Sequence, residues 1–337
     1  MAKVAINGFG RIGRVALRIM LQRISDLADI EIVAINDLAP IDDLLYLLKY
    51  DSVHGKLNHQ VCIENNYLLV GKHKILILNE KNPEKINWKD LKVDIVIEST
   101  GLFLTKEDLS KHLYAGAKKV LVTAPTKENG ADATICYGVN SQVYNKNMNI
   151  ISTASCTTNC IAPIAKVLDD SLTITKGMVT TIHSYTNDQR LLDLAHSDKR
   201  RSRAASLSMI PTTTGAAKAI SLILPSLKNK FDGLAIRVPT PNVSLVDMVI
   251  EVKTSTNKEQ VNNLLKEASS ASLLGILDVC YEPLVSIDFN GTSHSSIVDA
   301  MSTMVIEGHL IKILSWYDNE WGFCNRAIDL LELMSKE

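Results

Sequence analysis

At 337 residues the chain is longer than one hydrophobic core usually grows, so two domains are expected. Its 46% hydrophobic and 22% charged residues suit a soluble globular enzyme, and a formal net charge of −1 gives no general electrostatic attraction to nucleic acid or an anionic membrane. The six cysteines (Cys62, Cys136, Cys156, Cys160, Cys280, Cys324) follow neither disulfide-framework nor zinc-site spacing, and neither a cleavable leader nor a membrane-length apolar run is evident; free thiols, no metal and a cytoplasmic location are expected.

Residues 3–7 form a short apolar strand running into Gly8-Phe9-Gly10-Arg11-Ile12-Gly13, and Val15, Leu17, Ile19 and Met20 continue as a helical pattern. A second strand, 30–36, ends at Asp37. Strand, G-x-G-x-x-G, helix and a strand with an acidic end make a complete dinucleotide-binding unit. The glycines let the backbone approach a pyrophosphate at the helix N-terminus, and Asp37 can accept hydrogen bonds from both adenosine ribose hydroxyls. A helix follows at 41–48, then a polar turn at 50–55 and short strands at 61–63, 67–70 and 74–78, with a hairpin turn at Gly71-Lys72. A buried strand at 94–98 is closed by Ser99-Thr100-Gly101, a helix spans 106–114, and strands follow at 119–122 and 133–137. This alternation predicts an α/β domain with a Rossmann-type, doubly wound and mostly parallel sheet.

Ala154-Ser155-Cys156-Thr157-Thr158-Asn159-Cys160 sets a cysteine among small hydroxyl and amide residues. Ile161, Ile164, Ala165 and Leu168 then share one helix face, with Pro163 either in the first turn or kinking the helix. Cys156 is thus at or near a helix N-terminus, where unpaired N–H groups and the dipole favour a thiolate. His183 lies in an apolar, Thr-rich strand at 175–184, and a cysteine with a base brought near it is an activated nucleophile; a small buried thiol and a structural histidine are the alternative. Strands at 234–237, 243–253, 296–303 and 310–316, with helices at 215–223 and 258–270, predict an α+β second domain with a mostly antiparallel sheet. An amphipathic helix at 325–334 closes the chain. The run Lys199-Arg200-Arg201-Ser202-Arg203 reads as a solvated face or ion-pair site, without the interleaved aromatics of a nucleic-acid surface.

At this point the residues resemble the phosphorylating glyceraldehyde-3-phosphate dehydrogenases along the whole chain. The glycine loop Asn7–Arg14 carries the resemblance, as do the cysteine stretch 154–160, His183-Ser184-Tyr185-Thr186-Asn187-Asp188 and Pro211-Thr212-Thr213-Thr214-Gly215-Ala216-Ala217-Lys218. So do Arg237-Val238-Pro239-Thr240-Pro241-Asn242-Val243 and Trp316-Tyr317-Asp318-Asn319-Glu320. The resemblance implies an NAD-binding domain at 1–155, completed by the C-terminal helix at 320–337, and a catalytic domain at 156–319. It also implies NAD as cofactor, a phosphorylated aldehyde and inorganic phosphate as small-molecule partners, and a homotetramer. Cys156 would attack the aldehyde to give a thiohemiacetal, His183 would act as base during hydride transfer, and phosphate would cleave the resulting thioester. Thr186 and Arg237 match the site for the substrate's own phosphate, and Ser155, Thr157, Thr214 and Gly215 the site for the attacking phosphate. Gly8, Gly10, Arg11, Ile12 and Asp37 match the cofactor site; Asn319 matches the residue orienting the nicotinamide carboxamide, and Thr123 lies near the adenosine side.

Three positions depart from the family pattern: Ala195 where NAD-specific members commonly have Pro, Phe323 where many have Tyr, and Thr153 for a usual Asn. Erythrose-4-phosphate dehydrogenase is the rival enzyme, against which stand the intact Thr214-Gly215 and Asp37. Semialdehyde dehydrogenases share the Cys and His logic but lack the 183–188 stretch as written, and a non-catalytic nucleotide-binding or adhesion protein is the reading from another class.

Overall fold

The structure, a computed structural model, describes residues 1–336 apart from Ile24 and Lys72. Lys72, half of the expected hairpin turn, and Glu337, the end of the expected closing segment, lie outside the described residues. The chain separates into two compact units: residues 1–137 and 141–154 with those from Cys324 onward, and Ser155–Phe323 with Gly138–Asn140.

The first unit runs β1 (Ala2–Asn7), α1 (Arg11–Gln22), β2 (Ile30–Asn36), α2 (Ile41–Lys49), β3 (Tyr50–Asp51), β4 (Gly55–Lys56), β5 (Val61–Glu64), β6 (Tyr67–Val70), β7 (His73–Leu78), β8 (Ile95–Glu98), α3 (Lys106–Tyr114), β9 (Lys119–Val122), β10 (Ala133–Thr134) and β11 (Ile150–Ser152). Its sheet has the order β10-β11-β9-β8-β1-β2-β7-β6-β5 and is parallel except where β6 pairs with β5 and β7. All four residues of β8 are buried, as a parallel strand covered on both faces requires. The order reverses at β1, which has β2 on one side and β8 on the other. Ligands of doubly wound sheets bind at the carboxyl ends of the strands flanking that reversal.

Two local expectations need correction. The strand expected at 133–137 is only Ala133–Thr134, and β11 was not foreseen: three residues are too few to show a period, and they form a strand by pairing with Val120–Val122. The turn at 50–55 carries a small ladder held by Asp51, whose Oδ1 accepts from Val53 N and His54 N, each at 2.9 Å. Arg11 Nη1 donates to Asp51 Oδ2 at 2.6 Å.

The second unit runs α4 (Cys156–Leu172), β12 (Ile174–Ser184), β13 (Ile210–Thr213), α5 (Ala216–Ile223), β14 (Phe231–Val238), β15 (Ser244–Val252), α6 (Lys258–Ser270), β16 (Leu277–Cys280), β17 (Ser296–Asp299), β18 (Met304–Ile306) and β19 (Leu310–Tyr317); α7 (Trp321–Ser335) follows and passes into the first unit. The sheet order is β13-β14-β12-β15-β19-β17-β16, antiparallel except for β12–β14 and β16–β17. Along β15 burial alternates residue by residue, so one face packs on the core and the other does not. Helix α4 packs against β12, β15, β17 and β19. Over the strands β12, β14 and β15 lies an open cleft of about 930 Å³ lined by Met178, Phe231, Val249 and Leu310 among Lys176 and Glu251. Pro163 lies in the interior of α4, so the first-turn alternative is set aside; there it removes one backbone donor from the helix ladder.

Candidate active site

In the first unit the glycine loop is shaped by close packing. Gly8 has φ +91°, and a Cβ on it would come within 2.7 Å of Thr100 N, while a Cβ on Gly13 would meet the Gly8 carbonyl oxygen at 2.2 Å. Gly10 is different: nothing lies within 4 Å of its Cβ position, so its backbone presents bare surface. It is the N-cap of α1, whose first turn has no side-chain cap and no acidic residue, leaving N–H groups for an anion. Asp37 follows β2, and both carboxylate oxygens are fixed: Oδ2 accepts from Phe9 N at 2.7 Å and Oδ1 from Ala39 N at 2.9 Å. Gly8, Gly10 and Asp37 line one cavity of about 470 Å³ with Asn7, Asn36 and Thr100. Open backbone at Gly10, an uncapped helix start and a fixed carboxylate fit a dinucleotide.

Arg11 and Ile12 form the first turn of α1 beyond that lining, and the Arg11 side chain is turned to Asp51. Thr123 follows β9 and donates its hydroxyl to the Glu98 carbonyl at 3.1 Å. Sequence reasoning missed the support under the cavity. Asn36 Nδ2 donates to Asn7 Oδ1 at 2.8 Å, Asn7 Nδ2 to Glu98 Oε2 at 2.6 Å, and His112 Nε2 lies 3.0 Å from the same carboxylate oxygen. Trp88 Nε1 donates to His112 Nδ1 at 3.1 Å, which makes His112 Nε2 the protonated nitrogen facing Glu98.

In the second unit Ser155 is the N-cap of α4, its hydroxyl accepting from Thr158 N at 3.0 Å, and Cys156 is the first helical residue. The preceding Ala154 has φ +59°, a strained conformation of the sort that collects at functional sites. Cys156 Sγ is 3.5 Å from His183 Nε2. His183 pairs with Arg237 in the parallel β12–β14 register, which puts the guanidinium beside the imidazole. Arg237 Nη1 lies 2.8 Å from His183 Nδ1 and donates to Ser184 O at 3.1 Å; Nδ1 is itself 2.7 Å from Ser184 O. The Ser184 carbonyl only accepts and calls for a proton on Nδ1, whereas the Arg237 guanidinium only donates and calls for a lone pair there; in the tautomer with the proton on Nδ1, the Nε2 lone pair faces the thiol.

Burial and then the Arg237 charge push the His183 pKa down to about 3, so the ring is neutral at neutral pH and, beside an uncompensated Arg237 charge, a weak base. Burial pushes the Cys156 thiol up, against the pull of the Arg237 charge and hydrogen bonds involving Thr157. The helix N-terminus therefore does not by itself give the lowered thiol expected from sequence, because desolvation outweighs it. Cys160, fully buried one turn on, is pushed up to about 12 by the same cause.

Thr157 is buried and shares a hydrogen bond of 2.9 Å with the Tyr317 hydroxyl, which also meets Thr181 Oγ1 at 2.8 Å. The Tyr317 ring stands edge-on to His183, centroids 6.0 Å apart. No periodicity singled out Tyr317 as the support for both. Thr186 is exposed two residues beyond β12, its backbone N donating to Gln189 Oε1 at 2.8 Å. Thr214 and Gly215 lead into α5, Thr214 Oγ1 accepting from Ala216 N at 3.2 Å. Asn319 is buried after β19 and accepts from Ser244 Oγ at 2.8 Å. The cationic run is an ion-pair site: Arg201 Nη1 donates to Asp188 Oδ2 at 2.6 Å and Arg203 Nε to Asp193 Oδ2 at 3.1 Å. Among the described residues no cluster of His, Cys, Asp and Glu could hold a metal, and no helix is long and apolar enough to cross a membrane.

A unit built on a doubly wound sheet with a glycine-loop cavity, in one chain with a second unit that carries a cysteine–histidine–arginine cluster, defines the class of dinucleotide-dependent oxidoreductases. Comparison with known proteins narrows it. Residues 2–106 match the NAD binding domain of glyceraldehyde 3-phosphate dehydrogenase, and residues 155–319 match its C-terminal domain. The glyceraldehyde-3-phosphate dehydrogenase of Geobacillus stearothermophilus is 55% identical over 97% of this chain and 96% of its own length. Glyceraldehyde-3-phosphate dehydrogenase 1 of Bacillus subtilis (strain 168) is 53% identical over 99% of this chain and 98% of its own. The chloroplastic glyceraldehyde-3-phosphate dehydrogenase A of Zea mays is 50% identical over 99% of this chain and 83% of its own. The chain belongs to the glyceraldehyde-3-phosphate dehydrogenase family.

Proposed function

We propose that the chain oxidises D-glyceraldehyde 3-phosphate to 1,3-bisphosphoglycerate with NAD and inorganic phosphate, through a covalent intermediate on Cys156. What supports the reading is the approach of Cys156 Sγ to His183 Nε2, 3.5 Å, with Arg237 against the same ring. With the substrate's phosphate offsetting the Arg237 charge that lowers the His183 pKa, His183 Nε2 takes the thiol proton, the thiolate attacks the aldehyde carbon, and the imidazolium donates to the forming oxyanion. His183 then takes the hydroxyl proton of the thiohemiacetal as hydride departs, leaving a thioester on Sγ. Bound NAD supplies the hydride acceptor. Inorganic phosphate attacks the thioester carbonyl and Cys156 leaves as thiolate.

Arg237 and Thr186 hold the substrate's own phosphate. Ser155, Thr157, Thr214 and Gly215 hold the attacking phosphate through hydroxyl and N–H donors, which bind an anion without immobilising it as a second Arg would. Asp37 takes the adenosine ribose, Gly8, Gly10, Arg11 and Ile12 the pyrophosphate, Thr123 the adenosine side and Asn319 the nicotinamide carboxamide.

The NAD-binding domain is 1–155 with the C-terminal helix, and 156–319 is catalytic. The protein works as a homotetramer in the cytoplasm. For assembly, the support is five large apolar side chains between 191 and 209 (Leu191, Leu192, Leu194, Leu207 and Met209), each more than 60% exposed, together with the open apolar face over β12, β14 and β15. A steady-state assay offering glyceraldehyde 3-phosphate or erythrose 4-phosphate, NAD or NADP, with and without phosphate, tests the function. Phosphate-dependent turnover with glyceraldehyde 3-phosphate and NAD is expected; faster turnover of erythrose 4-phosphate, or turnover independent of phosphate, would overturn it.

A further inference from the structure

Asn319 is an amide, and an amide can present either a donor or an acceptor to a ligand. What fixes the choice is Ser244. Its side chain is buried, at 1% exposure, and has one proton to give. Ser184 N donates to Ser244 Oγ at 3.1 Å, so the hydroxyl oxygen is an acceptor in that contact. The hydroxyl proton is then directed to Asn319 Oδ1 at 2.8 Å. With Oδ1 accepting from Ser244, the amide is held in one of its two orientations, and the end opposite that bond is Nδ2, which carries only donors.

The backbone on either side holds Ser244 in place. Val243, a β-branched residue, has φ +65°, a genuine outlier that persists only where surrounding contacts enforce it. Ser184 supplies that contact, its hydroxyl donating to Val243 O at 2.9 Å while its N–H holds Ser244 Oγ. Ser184 is also the residue whose carbonyl oxygen lies 2.7 Å from His183 Nδ1. Directly after β19, Asp318 is pinned as well: its Oδ1 accepts from Glu320 N and Trp321 N at 2.9 and 2.7 Å, and its Oδ2 from Gly291 N and Asn242 Nδ2 at 2.8 and 2.9 Å. Asn319 thus stands on a rigid turn with its amide oriented by Ser244.

We propose that Ser244 is a positioning residue that sets the polarity of Asn319, making it a donor for the carboxamide oxygen of the nicotinamide, and that through Ser184 it ties this donor to the strand carrying His183. The proposal rests on the reading of Asn319 as a nicotinamide contact, and the test separates the two. Calorimetric binding of NAD is compared with binding of ADP-ribose, which has the adenosine and pyrophosphate but no nicotinamide, in full-length wild type, Ser244→Ala, Asn319→Ala and the double variant. Ser244→Ala should weaken NAD by roughly three- to tenfold, the range of one buried hydrogen bond, and leave ADP-ribose within a factor of two or so. Because Ser244 acts through Asn319, the double variant should bind NAD no worse than Asn319→Ala alone. If Asn319→Ala weakens NAD but Ser244→Ala does not, or if the two losses add, the positioning role is refuted while the Asn319 contact stands. If Asn319→Ala leaves NAD unchanged, both fall. Equal loss of NAD and ADP-ribose in Ser244→Ala would mean a general disturbance of the fold and would also overturn the proposal; Ser244→Thr, which keeps the hydroxyl, should restore the wild-type ratio of the two affinities.

Discussion

Replacing Asp37 by Ala should collapse the preference for NAD over NADP. The carboxylate cannot swing aside from a 2′-phosphate, because Phe9 N and Ala39 N hold its two oxygens at 2.7 and 2.9 Å. Two unit charges ~4 Å apart repel by about 4 kcal/mol at an effective dielectric near 20 and by about 1 kcal/mol in bulk water. The cavity is open on one side, so an intermediate value of about 2 kcal/mol, roughly thirtyfold in kcat/KM, is the expected discrimination from this residue alone. Asp37→Ala removes that repulsion and the acceptor for the ribose hydroxyls, so NAD should lose and NADP should gain. Asp37→Asn removes the same charge and fits the two donors worse, since an amide can accept from only one of the two N–H groups and turns a donor toward the other. The assay is kcat/KM for both cofactors at fixed aldehyde and phosphate. Comparable values in the wild type, or an NAD-to-NADP ratio unchanged in Asp37→Ala, would refute the assignment of selectivity to this carboxylate.

Arg237→Leu should lower kcat/KM for glyceraldehyde 3-phosphate by roughly ten- to a hundredfold, the range of one charge-assisted contact. Removing that cation also raises the His183 pKa, so the acid limb of the pH–rate profile should move to higher pH; a limb that stays put would show that Arg237 does not act on His183. Asp51 should show in acid stability. Burial opposes its ionisation, yet hydrogen bonds from His54 N, Arg11 and Val53 N, with the Arg11 charge, hold its carboxyl at about 2. A depressed carboxylate stabilises the fold above its unfolded pKa, and the contribution is lost as pH falls from about 4 to about 2. Asp51→Asn should therefore be less stable than wild type by about 2 kcal/mol at pH 7, with the gap closing toward pH 2; a pH-independent gap in chemical denaturation would contradict this. Light scattering at micromolar concentration should give four chains per particle, and the mass of a single chain would contradict the tetramer.

The first unit was legible because each signal was local. A strand, three glycines, a helix and Asp37 lie within 36 consecutive residues, and the structure gives β1, α1 and β2 with Gly8 and Asp37 at one cavity. Cys156 was legible as a helix start because Ser155 is a good N-cap and the apolar face begins at Ile161. Its proton balance was not, because burial and the proximity of Arg237 depend on the β12–β14 register, which no sequence period encodes. Tyr317 and Ser244 escaped notice for the same reason: Ser244 faces Tyr317 across β15–β19, and their partners Thr157 and Ser184 are distant in sequence. The short strands β11, β16 and β18 were missed because runs of three or four residues show no period; they exist through pairing with β9, β17 and β19.

The covalent step on Cys156 is tested most directly by mixing enzyme with NAD and glyceraldehyde 3-phosphate without inorganic phosphate, following NADH, and then mapping the acyl group by peptide mass. One NADH per chain should form in a burst, with the phosphoglyceroyl group on Cys156, the thiol that faces a neutral imidazole; Cys136, Cys160 and Cys324 are buried. Cys156→Ser should give no burst and no adduct. An adduct on Cys160 or Cys280, or NADH formation by Cys156→Ser at the wild-type rate, would contradict the mechanism.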